Sequence, residues 1–216
     1  MKRDFFYRLL QLLFPIFLIL IVTVPAILES ENAADINDSI SSATSTAVIV
    51  NSGNLTGSGN IWEMDSAHII VVTASHVIAD SSDIMITFSD DKTRIASLVS
   101  NDEVNDIAFL QVNKVYGDKY TKVNRAKLLK PADSQVFIVD PHTKTASAGI
   151  IAETEIYIED FDQEMILCLL SADAGMSGSG LFDEQGHYLG MLLGGTDNSL
   201  AACLPVSRID VLEKSR

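Results

Sequence analysis

The stretch Ser171–Phe182, "SADAGMSGSGLF", lies between two apolar runs, "MILCLL" (Met165–Leu170) and "YLGMLL" (Tyr188–Leu193), that both read as buried strands. It holds three glycines, three serines and two alanines. A chain that separates two such strands with a run almost without side chains is making a tight turn, or bringing its backbone close to something else around one exposed hydroxyl. The second reading gives Ser177 a chemical purpose. Its own N–H and that of Gly175 can converge on one point and stabilise a developing oxyanion.

A serine hydroxyl is inert unless a base takes its proton, so a histidine must stand elsewhere in the chain. The four are His68, His76, His142 and His187. His76 ends a strongly apolar strand in "VVTASHVI", where small Ala74 and Ser75 leave room for the ring. An imidazole base needs an acid to fix its tautomer. Asp106 in "NDIAFLQV" opens a buried strand, a place where a carboxylate is costly without a partner. Asp102 is the weaker alternative for the acid and Ser179 for the nucleophile. The α/β-hydrolase elbow does not fit, because "GMSGS" has no glycine two residues after the serine. "TGSG" (Thr56–Gly59) lacks the third glycine of a dinucleotide site and reads as a hairpin turn.

The organisation around these residues is all-β. Residues 1–29 are a signal anchor or signal peptide: Lys2, Arg3 and Arg8 precede the uncharged run Leu9–Leu28, long enough to span a bilayer. That length favours an anchor, while "VPA" at Val24–Ala26 would suit cleavage; the basic flank places the remainder outside the membrane. Residues 30–45 read as a flexible spacer. Six short Val/Ile/Thr-rich segments fill 46–113, a polar linker follows, and six more fill 131–206. The expectation is two six-stranded antiparallel barrels and a short C-terminal helix capped by Ser207. Residues 1–30 carry net charge +1, so the rest carries −15, which excludes nucleic acid as a partner. The histidine spacing supports no metal site. Cys168 and Cys203 are too few for a disulfide scaffold and read as two small buried thiols, or as a single bridge.

"TASHVI", "DIAFL" and "GMSGSGLFDEQGHYLGMLLGG" resemble the three signature segments of the trypsin-like (chymotrypsin-fold) serine proteases, with the closer likeness to bacterial high-temperature-requirement and glutamyl endopeptidase types. The resemblance covers roughly residues 45–212. It implies a protease domain over 46–216 that cleaves polypeptides without a cofactor, its site lying between the barrels. His76 then matches the general base, Asp106 its orienting acid, Ser177 the nucleophile, and Gly175 with Ser177 the oxyanion donors. Ser171, Ala172, Leu192, Leu193 and Gly194 match the substrate-binding positions.

Departures from the family pattern carry information too. Met176 stands where pancreatic relatives have the Asp that pairs with a newly cut N-terminus, and Ser179 replaces the commoner second glycine. Ser171 and Leu192 replace the charged or histidine residues that select Lys, Arg or Glu, so an uncharged residue of small to medium size is expected before the cut. The functional expectation is an extracytoplasmic serine endopeptidase held to the membrane by residues 9–28, or otherwise secreted. The alternative is an inactive protease-like domain that only binds peptides or partners.

Overall fold

The computed structural model describes residues 35–78, 83–196 and 199–213. Thirteen strands are present in this part of the chain. The first six are β1 (Ala47–Ser52), β2 (Leu55–Met64), β3 (His68–Thr73), β4 (Ile84–Thr87), β5 (Thr93–Asp102) and β6 (Ile107–Asn113). They close into a barrel in the order β1-β2-β3-β6-β5-β4. A two-residue strand, β7 (Asn124–Arg125), lies in the segment between the barrels. Then come β8 (Gln135–Asp140), β9 (Thr145–Ile158), β10 (Gln163–Leu169), β11 (Gly180–Asp183), β12 (His187–Thr196) and β13 (Leu200–Pro205). These run β11-β8-β9-β10-β13-β12, and a β11–β12 pairing closes the ring. Counted from its own first strand, the second barrel repeats the order of the first.

The alternation expected of half-buried strands is visible in β1 and at the start of β3, whereas β6 is buried on both faces. Val48 and Val50 of β1, Ile69 and Val71 of β3, and Ala108 and Leu110 of β6 all point inward and are fully buried. The barrels are joined by an aromatic chain. Trp62 packs edge-on against Phe109 at 6.2 Å and against Tyr188 at 5.7 Å, and Tyr188 packs against Phe182 at 5.5 Å. Trp62, Tyr188 and Phe182 are all essentially excluded from solvent. Arg125 of β7 lies over the Trp62 ring at 4.7 Å and pairs with Glu63, Asp210 and Glu213. The polar linker is therefore the strap that holds the C-terminal helix (Val206–Glu213) to the first barrel.

Three local expectations are corrected. Residues 35–46 are helical rather than an irregular spacer. Ile40 and Ala43 face the core, and the Thr44, Ser45 and Thr46 hydroxyls return hydrogen bonds to the preceding turn, so the run's polar composition hid a short amphipathic pattern. "TGSG" is not a turn but the opening of β2; the turn lies just before it, with Gly53 at φ 58°. The C-terminal helix begins at Val206, which places Ser207 in its first turn instead of at the cap. Cys168 and Cys203 are both free and buried. The expected anchor, residues 1–29, lies outside the described residues, and among those described no helix is long and apolar enough to cross a membrane.

Candidate active site

His76 and Asp106 are brought together by barrel geometry. Strands β3 and β6 are neighbours, with Thr73 opposite Ala108, so the residues just past one and just before the other share an edge. After β3 the chain enters a 3₁₀ turn, Ser75–Ile78, whose Val77 and Ile78 are buried while the His76 side chain is half exposed. Asp106 sits at φ 54°, in the left-handed region that Asp tolerates better than most residues. That conformation turns its carboxylate back onto the histidine. Oδ2 accepts from His76 Nδ1 at 2.7 Å and Oδ1 accepts from the His76 backbone N–H at 2.9 Å. The proton is thereby held on Nδ1, which leaves Nε2 with a free lone pair. The hydrogen bond to Asp106 raises the His76 pKa above its usual value, against the opposing effect of burial. Asp102 instead accepts from the N–H and side-chain amide of Asn105 and closes its own turn.

The Ser177 turn is built from backbone. Met176 N–H donates to the Asp173 carbonyl at 3.1 Å with Gly175 at φ 91°, the conformation that requires glycine at the third position of a type II turn. Met176 is buried, and its Sδ accepts from the Asp173 N–H. An apolar anchor thus occupies the place where the sequence lacks the expected Asp. Gly178 N–H donates to Leu192 O, and Ser179 N–H to Met176 O. Among the described residues, the N–H groups of Gly175 and Ser177 have no protein acceptor, although those of Met176, Gly178 and Ser179 do. Two unpaired donors two residues apart are what an oxyanion site needs. Ser179, the alternative nucleophile, is buried.

Sequence reading missed the residue that couples this turn to the first barrel. Ser58 N–H donates to Ser177 O at 2.8 Å, and Ser58 Oγ donates to Gly175 O at 2.8 Å. The Ser58 carbonyl lies so close beneath Gly178 that a Cβ there would stand 2.0 Å from it. Gly57 next to it would place a Cβ 2.5 Å from Val77 and 3.1 Å from Ser177 O. Gly57 is therefore wedged between the His76 turn and the Ser177 turn, and its missing side chain lets them approach. Ser177 Oγ itself reaches the Leu193 carbonyl at 3.5 Å, a weak contact that leaves the hydroxyl uncommitted.

Beside Ser177 opens a cavity of about 530 Å³ lined by Ser171, Ala172, Leu192 and Gly194, as the sequence suggests, and also by Asp173 and Ser199. The Ser171 and Ser199 hydroxyls are 3.2 Å apart. Leu193 is buried and does not line the cavity; its carbonyl, not its side chain, faces Ser177. Gly194, besides lining the cavity, lies against the Phe161 ring. His68 and His187 sit on other turns, beside Asp65 and Asp183. Among the described residues no group of three or more His, Cys, Asp or Glu could hold a metal ion.

Two closed barrels meeting at a serine turn and an Asp-bound histidine define the double-barrel class of serine proteases. The chain belongs to the trypsin-like peptidase domain family, which matches residues 46–191. It is 26% identical over 183 residues to a serine protease HtrA-like of Staphylococcus haemolyticus, covering 78% of this chain and 28% of that protein. It is 24% identical over 178 residues to the serine protease Do-like HtrA of Bacillus subtilis, covering 77% and 40%. The chain spans less than half the length of these relatives. Among solved structures, the serine endoprotease from Yersinia pestis superimposes with a TM-score of 0.69 at 22% identity, covering 83% of this chain and 65% of that one.

The Ser58 contacts generate a prediction. Ser58→Ala removes the donor to Gly175 O while keeping the backbone bond to Ser177 O, so the turn loses its side-chain tether but not its place. A fall in kcat of roughly 10–100-fold with KM little changed is expected from such a small misplacement. Steady-state kinetics on a peptide substrate measure it, and an unchanged kcat would show that the tether is dispensable.

Proposed function

We propose that this chain is an exported serine endopeptidase acting through His76, Asp106 and Ser177. The observation that supports it is the set of features gathered around Gly57 and Ser58, where the turn that carries His76 meets the Ser177 turn: a histidine oriented by a carboxylate, an uncommitted serine hydroxyl, and two N–H donors without acceptors. In this reading His76 Nε2 takes the Ser177 proton as Oγ attacks the peptide carbonyl. The oxyanion is held by the N–H groups of Gly175 and Ser177. His76 then gives its proton to the leaving amine, and a water activated by the same base releases the acyl-enzyme. A fluorophosphonate probe should label the native protein and not Ser177→Ala. Labelling of neither would favour the inactive, peptide-binding alternative, and equal labelling of both would show that Ser177 is not the reactive serine.

The site's electrostatics set a pH dependence. His76 acts as base only when neutral, and Asp106 raises its pKa above the ordinary ~6.5. The sign is therefore fixed: kcat/KM should rise with pH, with a midpoint above ~6.5. The same pair stabilises the fold most when His76 is protonated, an increment that is lost as pH climbs through the raised value. The best-buttressed form of the dyad is thus not the working form. A midpoint clearly below 6 in the kcat/KM profile would exclude His76 as the base.

The primary pocket admits an uncharged residue before the cut. It offers no cation to an acidic side chain, its one carboxylate, Asp173, is exposed, and its walls at Ala172 and Leu192 leave room for small to medium apolar groups. The Ser171 and Ser199 hydroxyls add room for a polar, uncharged end. A peptide library cleaved chiefly after a charged residue would overturn this assignment. We also assign residues 9–28 to membrane attachment, from their uncharged length; a soluble mature protein starting beyond Leu28 would refute that.

A further inference from the structure

His142 takes no part in the site described so far, yet its ring lies against the oxyanion turn. Its Nε2 is 3.5 Å, and its Cδ2 3.9 Å, from the point a Cβ on Gly175 would occupy. The side chain is exposed, and among the described residues neither ring nitrogen has a hydrogen-bond partner. The turn that carries it is well fixed. Asp140 accepts from the His142 N–H at 2.9 Å and from the Thr143 hydroxyl at 2.7 Å, and Lys144 N–H donates to the Asp140 carbonyl. Lys144 also reaches across to Asp91 of the first barrel at 2.8 Å.

Position relative to the pocket decides what the ring can touch. The primary pocket is lined on this turn by Ser171 through Ala174 and by Ser177, and His142 is not among its walls. The imidazole therefore meets Gly175 outside that pocket. A peptide whose reacting carbonyl sits at the Gly175 N–H has its side chain before the cut in the pocket, which leaves a ring outside the pocket to the residues that follow that carbonyl. The charged neighbours do not compete for the ring. Asp140 is spent on its own turn, Lys144 is paired with Asp91, Asp106 is bound to His76, and Asp173 lies on the pocket side.

We propose that His142 forms a subsite for the first two residues after the scissile bond and favours an acidic side chain there. This deepens the peptidase reading and rests on it. A protonated imidazole offers a carboxylate both a charge and a donor, whereas the neutral ring offers only a weak hydrogen bond. The preference thus requires the protonated ring.

The test uses the full chain and paired peptides that differ only in Glu or Gln at those two positions. The readout is the ratio of their kcat/KM values, taken within each variant so that overall activity cancels. For the wild type the ratio should be roughly two- to fivefold in mildly acidic buffer, the size of an exposed ion pair, and should fall towards one in alkaline buffer. His142→Lys should hold the preference across that range, and His142→Gln should give a ratio near one at every pH. A wild-type ratio of one, or a Glu preference that survives in His142→Gln, overturns the proposal. Should the Gln variant fail to fold, the wild-type pH dependence and its loss in His142→Lys decide alone. Cleavage of neither peptide, with Ser177 unlabelled by fluorophosphonate, overturns the peptidase reading and this inference with it.

Discussion

Ser58 meets the Ser177 turn with three of its own groups at once: its N–H on Ser177 O, its hydroxyl on Gly175 O, and its carbonyl pressed beneath Gly178. That carbonyl is in turn held by the Thr73 hydroxyl at 2.6 Å, at the end of the strand that leads to His76. One residue of the first barrel therefore fixes both halves of the site. A backbone carbonyl buried in such a place must be satisfied. With Gly175 O and Ser177 O both taken by Ser58, the turn has its carbonyls paired on one side and the N–H groups of Gly175 and Ser177 unpaired on the other. The asymmetry follows from hydrogen bonding in the first barrel as much as from the glycines of the turn itself.

The surrounding fold keeps that contact from drifting. The aromatic chain from Phe109 through Trp62 and Tyr188 to Phe182 crosses the barrel boundary as a packed, solvent-free seam. Aromatic contacts of this kind add to the burial of large rings. Arg125 closes the seam from outside, stacked on Trp62 and paired with three carboxylates. Met176 plays a local version of the same part. Its side chain is buried in the second barrel's core and its sulfur takes the Asp173 N–H, so the turn is seated by packing where a buried charge pair would otherwise be needed.

The architecture was readable because strands of this kind announce themselves: short, β-branched runs separated by turns give two sets of six, and the positions of His76, Asp106 and Ser177 follow from their abrupt polar contrast with those runs. Ser58 was not readable. "TGSG" has the composition of a turn yet overlaps the run Gly57–Met64 that reads as a strand, and nothing local shows that the neighbour of Ser58 lies more than a hundred residues away. The helical stretch 35–46 was missed for a related reason, since two apolar residues, Ile40 and Ala43, suffice to seat it. Leu193 shows a different limit. Its position along the strand was correct, but which of its atoms faces Ser177 depends on the register shift between Leu192 and Gly194 in β12.

The repeated strand order has a consequence for how the chain comes into being. Each barrel is closed by pairings within its own half, β1 with β4 in the first and β8 with β11 in the second. His76 and Asp106 belong wholly to the former and Ser177 wholly to the latter. On the proposed assignment of His76, Asp106 and Ser177, a chain in which only one half has taken shape therefore holds an incomplete set of reacting groups, whichever half it is. On that assignment chemical competence arrives with the docking of the two halves and not before, so a polypeptide emerging in sequence order stays harmless to its neighbours until its last strands are in place.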